Sequence, residues 1–146
     1  MTPGRSGEDA AVTKSGADGS VKRILIAEDE PNIVELLSFI LERAGCATRA
    51  VTDGEAAIAE IRREAPDVLL LDLMLPKHDG YAVLKAVRGS SDNAGLPVVM
   101  LTAKGQERDR KVAESLGVNA FITKPFSNQD VVDQVLALAG AGAAAR

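Results

Sequence analysis

The sequence predicts an α/β domain in which a parallel sheet carries helices on both faces. Three observations predict it. Short apolar runs recur along the chain, each followed by a segment whose apolar residues repeat at helical spacing. The runs are continuous rather than alternating, as strands covered on both sides require. Gly, Pro and capping residues end each element before the next begins.

Residues 1–20 are rich in Gly, Ser, Ala, Thr and charge. They hold too little apolar surface to order themselves and are expected to form a disordered tail. Lys22 to Ala27 is the first strand. Pro31 suits the first turn of a helix, and Ile33, Leu36, Leu37, Ile40, Leu41 and Ala44 supply its buried stripe until Gly45 stops it. Cys46 to Val51 reads as a second, more polar strand. Gly54 to Ala65 is the second helix, capped by Asp53 or Thr52 and broken by Pro66. Val68 to Leu71 is the third strand. A turn-rich loop, Pro76 to Gly80, leads to a third helix carrying Val83, Leu84 and Val87. Pro97 to Leu101 is the fourth strand. Glu107 to Leu116 is a polar fourth helix with a thin apolar stripe, closed by Gly117, and the element expected to move or bind a partner. Ala120 to Thr123 is the fifth strand. Ser127 with Asp130 resembles a capping box, and the last helix buries Val131, Val132, Val135 and Leu138. Residues 140–146, Ala and Gly apart from Arg146, are expected to fray as a flexible tail. The foldable domain is therefore 21–139. Five strand–helix units joined by right-handed crossovers give the strand order 2-1-3-4-5, the flavodoxin-like doubly wound (βα)5 arrangement.

Composition narrows the function. At 146 residues with 46% apolar and 26% charged side chains, the chain is one globular domain. Its net charge of -4 lacks the excess of basic residues that nucleic acid needs. No apolar run approaches a membrane span or a signal segment. The one cysteine, Cys46, permits no internal disulfide and fits a reducing cytoplasm.

In open parallel sheets, ligands bind beyond the carboxyl ends of the strands. Strand one delivers Glu28 and Asp29 there, strand three Asp72, strand four Thr102 and strand five Lys124. Each alone has a bland explanation as a cap or a turn. Together they bring three carboxylates, a hydroxyl and an ammonium to one rim, and Asp72 interrupts the otherwise apolar stretch Val68 to Leu75. Two carboxylates ~4 Å apart repel by about 4 kcal/mol at an effective dielectric near 20. A divalent cation removes that penalty. With oxygen donors and no nearby His or Cys, the set suits Mg²⁺ rather than zinc. Lys124 and Thr102 remain to hold a phosphoryl group, which leaves Asp72 as a carboxylate nucleophile forming an aspartyl phosphate.

Glu28-Asp29, Leu70-Leu71-Asp72-Leu73-Met74-Leu75-Pro76 with Gly80 downstream, Thr102-Ala103 and Lys124-Pro125-Phe126 resemble the receiver domain of two-component response regulators, in its CheY-like form. The likeness runs from Lys22 to about Leu138. It implies that Asp72 takes phosphate from a sensor histidine kinase or a histidine phosphotransfer protein. It also implies that Glu28, Asp29, Asp72 and the Met74 carbonyl hold Mg²⁺, that Thr102 and Lys124 grip the phosphate, and that the Lys124-Pro125 peptide is cis. Glu28 stands where an aspartate is common, and its longer arm suits reach to the metal through water. Thr102 and Phe121 form the implied switch, with Ala103 leaving room for an inward swing. That switch biases the surface of helix four, strand five and helix five toward a downstream protein target. Met74 and Lys104 flank the site and are expected to hinder hydrolysis of the phosphate. His78 is read as a solvated loop residue.

A haloacid dehalogenase-type phosphohydrolase is a rival, but it wants a second aspartate where Met74 stands. A binding module that is never phosphorylated is another. The resemblance implies a signalling phosphoacceptor rather than an enzyme, cytoplasmic, and a monomer or weak homodimer. No nucleic-acid or membrane contact is expected of it. The short Ala/Gly end favours a stand-alone regulator over a fragment of a longer one.

Overall fold

The apolar run Ile24 to Ala27 is fully buried, and burial on both sides explains why it tolerates no polar residue. It forms strand β1 (Arg23–Ala27) of a computed structural model that describes residues 21–103 and 107–145. The elements that follow are α1 (Pro31–Arg43), β2 (Ala47–Val51), α2 (Gly54–Arg63), β3 (Val68–Asp72), α3 (Gly80–Arg88), β4 (Val98–Thr102), α4 (Glu107–Ser115), β5 (Ala120–Thr123) and α5 (Asn128–Ala145). The five strands are parallel in the order β2-β1-β3-β4-β5, the flavodoxin-like winding expected. The tail expected over 1–20 lies outside the described residues.

Side-chain alternation divides the core between the two faces. Leu25, Leu69, Leu71, Val98 and Met100 pack with Ala57 and Ile61 of α2, Val83 and Leu84 of α3 and Ala113 of α4. Ile24, Ile26, Leu70, Val99 and Leu101 pack with Leu37 and Leu41 of α1 and Val131 and Val135 of α5. Among the described side chains of helix α4 only Ala113 is fully buried, while Val112 stays exposed, so its stripe is as thin as its sequence implies.

Helix ends follow local chemistry. Asp53 accepts the Ala56 N–H at 2.7 Å, which makes it, not Thr52, the cap of α2. Gly45, at φ 96°, closes α1: its N–H reaches the Glu42 carbonyl and the Cys46 N–H reaches that of Leu41, a left-handed stop. Cys46 therefore belongs to the turn rather than to β2. Helix α2 ends at Arg63 instead of running to Ala65. Pro66 disfavours helical backbone before it, and Arg23 and Arg49 take the Ala65 and Glu64 carbonyls. Arg49 also pairs with Glu60 at 2.6 Å and Glu64 at 3.1 Å, and Arg23 pairs with Glu64. These charges fasten α2 to β1 and β2. Helix α5 continues to Ala145 through the stretch expected to fray, because alanine sustains helix better than any other residue.

Ser127 accepts the Asp130 N–H at 3.2 Å and so caps α5. Ser127→Ala is expected to lower stability by about 1 kcal/mol, measured as a reduced urea midpoint with unchanged slope.

Candidate functional site

Register carries the strand-end residues together. Ala27 pairs with Leu71, so Glu28 stands beside Asp72. Leu101 pairs with Asp72 and Thr102 with Thr123, so Lys124 follows at the same level. The order reverses at β1, which lies between β2 and β3, and the carboxylates gather at that reversal. Asp72 and Thr102 are the last residues of β3 and β4 rather than the first of the following loops.

Oxygens of Glu28, Asp29 and Asp72 all lie within 4.8 Å of one another. Glu28, Asp72 and Thr102 are buried and Asp29 is exposed, so the cluster opens to solvent on one side. The Lys124 ammonium is 2.9 Å from Glu28 Oε1 and 3.7 Å from Asp72 Oδ1. Its backbone N–H donates to the Thr102 carbonyl at 2.6 Å. Glu28 also accepts the Glu30 N–H at 3.1 Å, and Asp72 Oδ1 accepts the Met74 N–H at 3.3 Å. Glu30 at the start of α1 makes no side-chain cap. The Lys124-Pro125 peptide is cis.

Burial pushes the Glu28 carboxyl above its ordinary range, the Lys124 hydrogen bond opposes that, and the Asp72 charge adds to it. Burial acts on Lys124 in the opposite sense, but the bond to Glu28 and the charge of Asp72 outweigh it and raise its pKa. One ammonium thus faces three carboxylates. The donor set is all oxygen, without His or Cys, and fits a small hard divalent cation.

Met74 is 70% exposed and flanks the opening. Lys104 lies outside the described residues. His78 is exposed. Phe121 is buried on β5, and the Arg110 guanidinium covers its ring at 4.9 Å from the centroid. Tyr81 O–H donates to the Asp109 carboxylate at 3.1 Å. Burial, then that hydrogen bond, pushes its pKa up to about 12. Arg110, Tyr81 and Asp109 tie α4 to its neighbours, and sequence reading missed them because pairing across elements leaves no local pattern. The Glu30 amide was equally invisible, since a backbone N–H carries no residue signature.

Comparison with known proteins places these features in context. A family model described as response regulator receiver domain matches residues 24–136. The probable transcriptional regulatory protein TcrX of Mycobacterium tuberculosis is 43% identical over 122 residues, 84% of this chain and 51% of that protein. The alkaline phosphatase synthesis transcriptional regulatory protein PhoP of Bacillus subtilis is 42% identical over 117 residues, 80% of this chain and 48% of that protein. The chain spans about half the length of these curated relatives. Among solved structures, a putative response regulator from Chloroflexus aurantiacus superposes with a TM-score of 0.79 at 33% identity, covering 82% of this chain and 98% of that one. The receiver domain of sensor histidine kinase PA1611 from Pseudomonas aeruginosa, with a magnesium ion coordinated in its active-site cleft, gives 0.77 at 27% identity over 83% and 99%. Among the described residues no helix is long and apolar enough to cross a membrane. The expected absence of nucleic-acid contact finds no support in relatives named as transcriptional regulators.

Proposed function

The chain belongs to the response regulator receiver domain family, and from that premise we propose that it is the phosphoacceptor of a two-component pathway. It takes its phosphoryl group from a sensor histidine kinase or a histidine phosphotransfer protein, in the cytoplasm. The observation that carries this reading is the 4.8 Å cluster of Glu28, Asp29 and Asp72 with Lys124 spanning two of its members.

An Asp72 carboxylate oxygen attacks phosphorus. The new P–O bond forms as the P–N bond to the donor imidazole breaks, and the nitrogen keeps the electron pair. Lys124 neutralises phosphoryl charge and the Thr102 hydroxyl donates to a phosphoryl oxygen. Glu28, Asp29, Asp72 and the Met74 carbonyl would hold Mg²⁺, which when bound would supply charge neutralisation at the transferring group. The magnesium in the PA1611 receiver cleft supports that assignment. The chemistry is confined to the protein's own Asp72, so this is a switch rather than an enzyme acting on a separate substrate. Phosphorylation draws Thr102 inward, Phe121 follows by packing, and the α4–β5–α5 surface changes its affinity for a protein target.

Relatives named as transcriptional regulators, of which the matched segment is about half, favour a second reading of the output. In it, the receiver governs a DNA-binding segment of a longer chain, and the nucleic acid is bound there rather than on this acidic domain.

Incubation with Mg²⁺ and acetyl phosphate is expected to add the mass of one phosphate, seen by intact-mass spectrometry. Asp72→Asn is expected to abolish the adduct. An unmodified wild-type chain, or an adduct that survives in Asp72→Asn, would overturn the assignment.

A further inference from the structure

We propose that Gly54, with the Asp53 and Glu55 carboxylates beside it, positions the 74–79 loop and thereby sets the Met74 backbone against Asp72. The inference rests on reading Asp72 as a metal-dependent phosphoacceptor.

The loop is wedged between the starts of two helices. On one side Gly54, the first residue of α2, donates its N–H to the Pro76 carbonyl at 3.1 Å. A Cβ at Gly54 would fall 1.9 Å from the His78 carbonyl oxygen and 2.7 Å from its carbon. Both are backbone atoms that cannot rotate aside. On the other side Gly80, the first residue of α3, donates to the Leu73 carbonyl at 2.8 Å. A Cβ there would come within 2.9 Å of the Asp72 carbonyl oxygen. Backbone therefore meets backbone from α2 through the loop to the phosphoacceptor, with no flexible side chain between to absorb a shift. Lys77 completes the joint. Its φ of 71° makes it the one non-glycine residue with positive φ among those described. Its ammonium reaches Glu55 at 3.5 Å and Asp53 at 3.8 Å. Met74 sits between these anchors, with its N–H on Asp72 Oδ1. Packing that holds the loop down at α2 thus fixes the distance from the Met74 backbone to the Asp72 carboxylate, and geometry at that scale governs both metal affinity and transfer rate.

The test measures Mg²⁺ binding directly by isothermal titration calorimetry, alongside phosphate incorporation from acetyl phosphate against Mg²⁺ concentration, with folding checked by circular dichroism. Gly54→Ala is expected to raise the half-saturating Mg²⁺ about tenfold, a readout that loss of stability alone leaves unmoved in the folded protein. A folded Gly54→Ala with the wild-type Mg²⁺ dependence overturns the proposal. Should that variant not fold, Lys77→Gly and Lys77→Ala are compared, since they carry equal charge but only glycine readily keeps the left-handed turn. A higher Mg²⁺ requirement for the alanine supports positioning, and identical curves overturn it. Wild-type protein that takes up no phosphate rejects the phosphoacceptor reading and this inference with it. Uptake by wild type with unshifted variants rejects the inference alone.

Discussion

Lys124→Met is expected to give a folded protein that accepts phosphate at least a hundredfold more slowly, yet binds Mg²⁺ more tightly. The ammonium lies 2.9 Å from Glu28 and 3.7 Å from Asp72, and among the described residues those are its two ion-pair partners. Methionine keeps the length and removes the charge. Loss of a preorganised group that stabilises transferring charge costs about 3 kcal/mol of barrier, a hundredfold or more in rate. Metal binding moves the other way, because an ammonium at the cluster repels a dication that must enter it. Stability without metal is expected to fall by about 3 kcal/mol, since a buried acid loses its partner. Added Mg²⁺ should close most of that gap by binding the native state. Urea unfolding with and without Mg²⁺, together with single-turnover phosphorylation, checks the three effects. A variant whose stability deficit persists at saturating Mg²⁺ would show that Lys124 acts on the fold and not on the charge of the cluster.

Arg88→Ala is expected to cost about 3 kcal/mol by leaving carbonyls without their donor. Arg88 ends α3 and gives all its donors to uncharged oxygens. It reaches the Ala94 carbonyl at 3.1 Å, that of Leu96 at 2.7 Å, that of Gly117 twice, at 3.0 and 2.7 Å, and Asn119 Oδ1 at 2.8 Å. Asn119 Oδ1 also accepts the Val98 N–H at 2.8 Å. One guanidinium therefore joins α3, the approach to β4 and the turn between α4 and β5. Burial holds its pKa below the ordinary value for arginine, but guanidinium stays charged regardless. Lysine does not replace it, because three donors on a point charge cannot span a planar fork. Gly117, at φ 90°, belongs to the same joint, and a Cβ there would lie 2.9 Å from Arg88 Nε. Gly117→Ala is costly on both counts. In Arg88→Ala the steric part disappears, so the double variant should lose about 1 kcal/mol less than the sum of the singles. Strict additivity in urea unfolding would contradict this geometry.

The five strands and their order were legible because β1, β3 and β4 are buried on both faces and leave uninterrupted apolar runs, while the more polar β2 and the short β5 were placed by the breakers and helices around them. The acidic rim was legible for the complementary reason: Asp72 is polar where burial alone would place another leucine. Cap positions came within a residue or two: Ser127 was identifiable from spacing, and Asp53 was one of two candidates until its bond to the Ala56 N–H decided it. What escaped reading involves partners far apart in the chain. Arg88 addresses carbonyls, which look alike in every residue. Arg110 over Phe121 and Tyr81 on Asp109 join elements that share no pattern. Lys77 adopts a backbone conformation usually signalled by glycine, so nothing marked that turn as left-handed. Helix α5 outran its expected end because alanine reads equally as tail and as helix.

Strand β2 is one border of the sheet, and an uncovered border invites a foreign strand to dock along it. Here Arg49 puts a charged residue on that border strand, its guanidinium drawn over the sheet face to Glu60 and Glu64 of α2, and charge on an edge strand disfavours pairing with a foreign one. The cation that fastens α2 thus also discourages growth into fibrils, and removing Arg49 would loosen the helix and strip the border strand of its charge in one step.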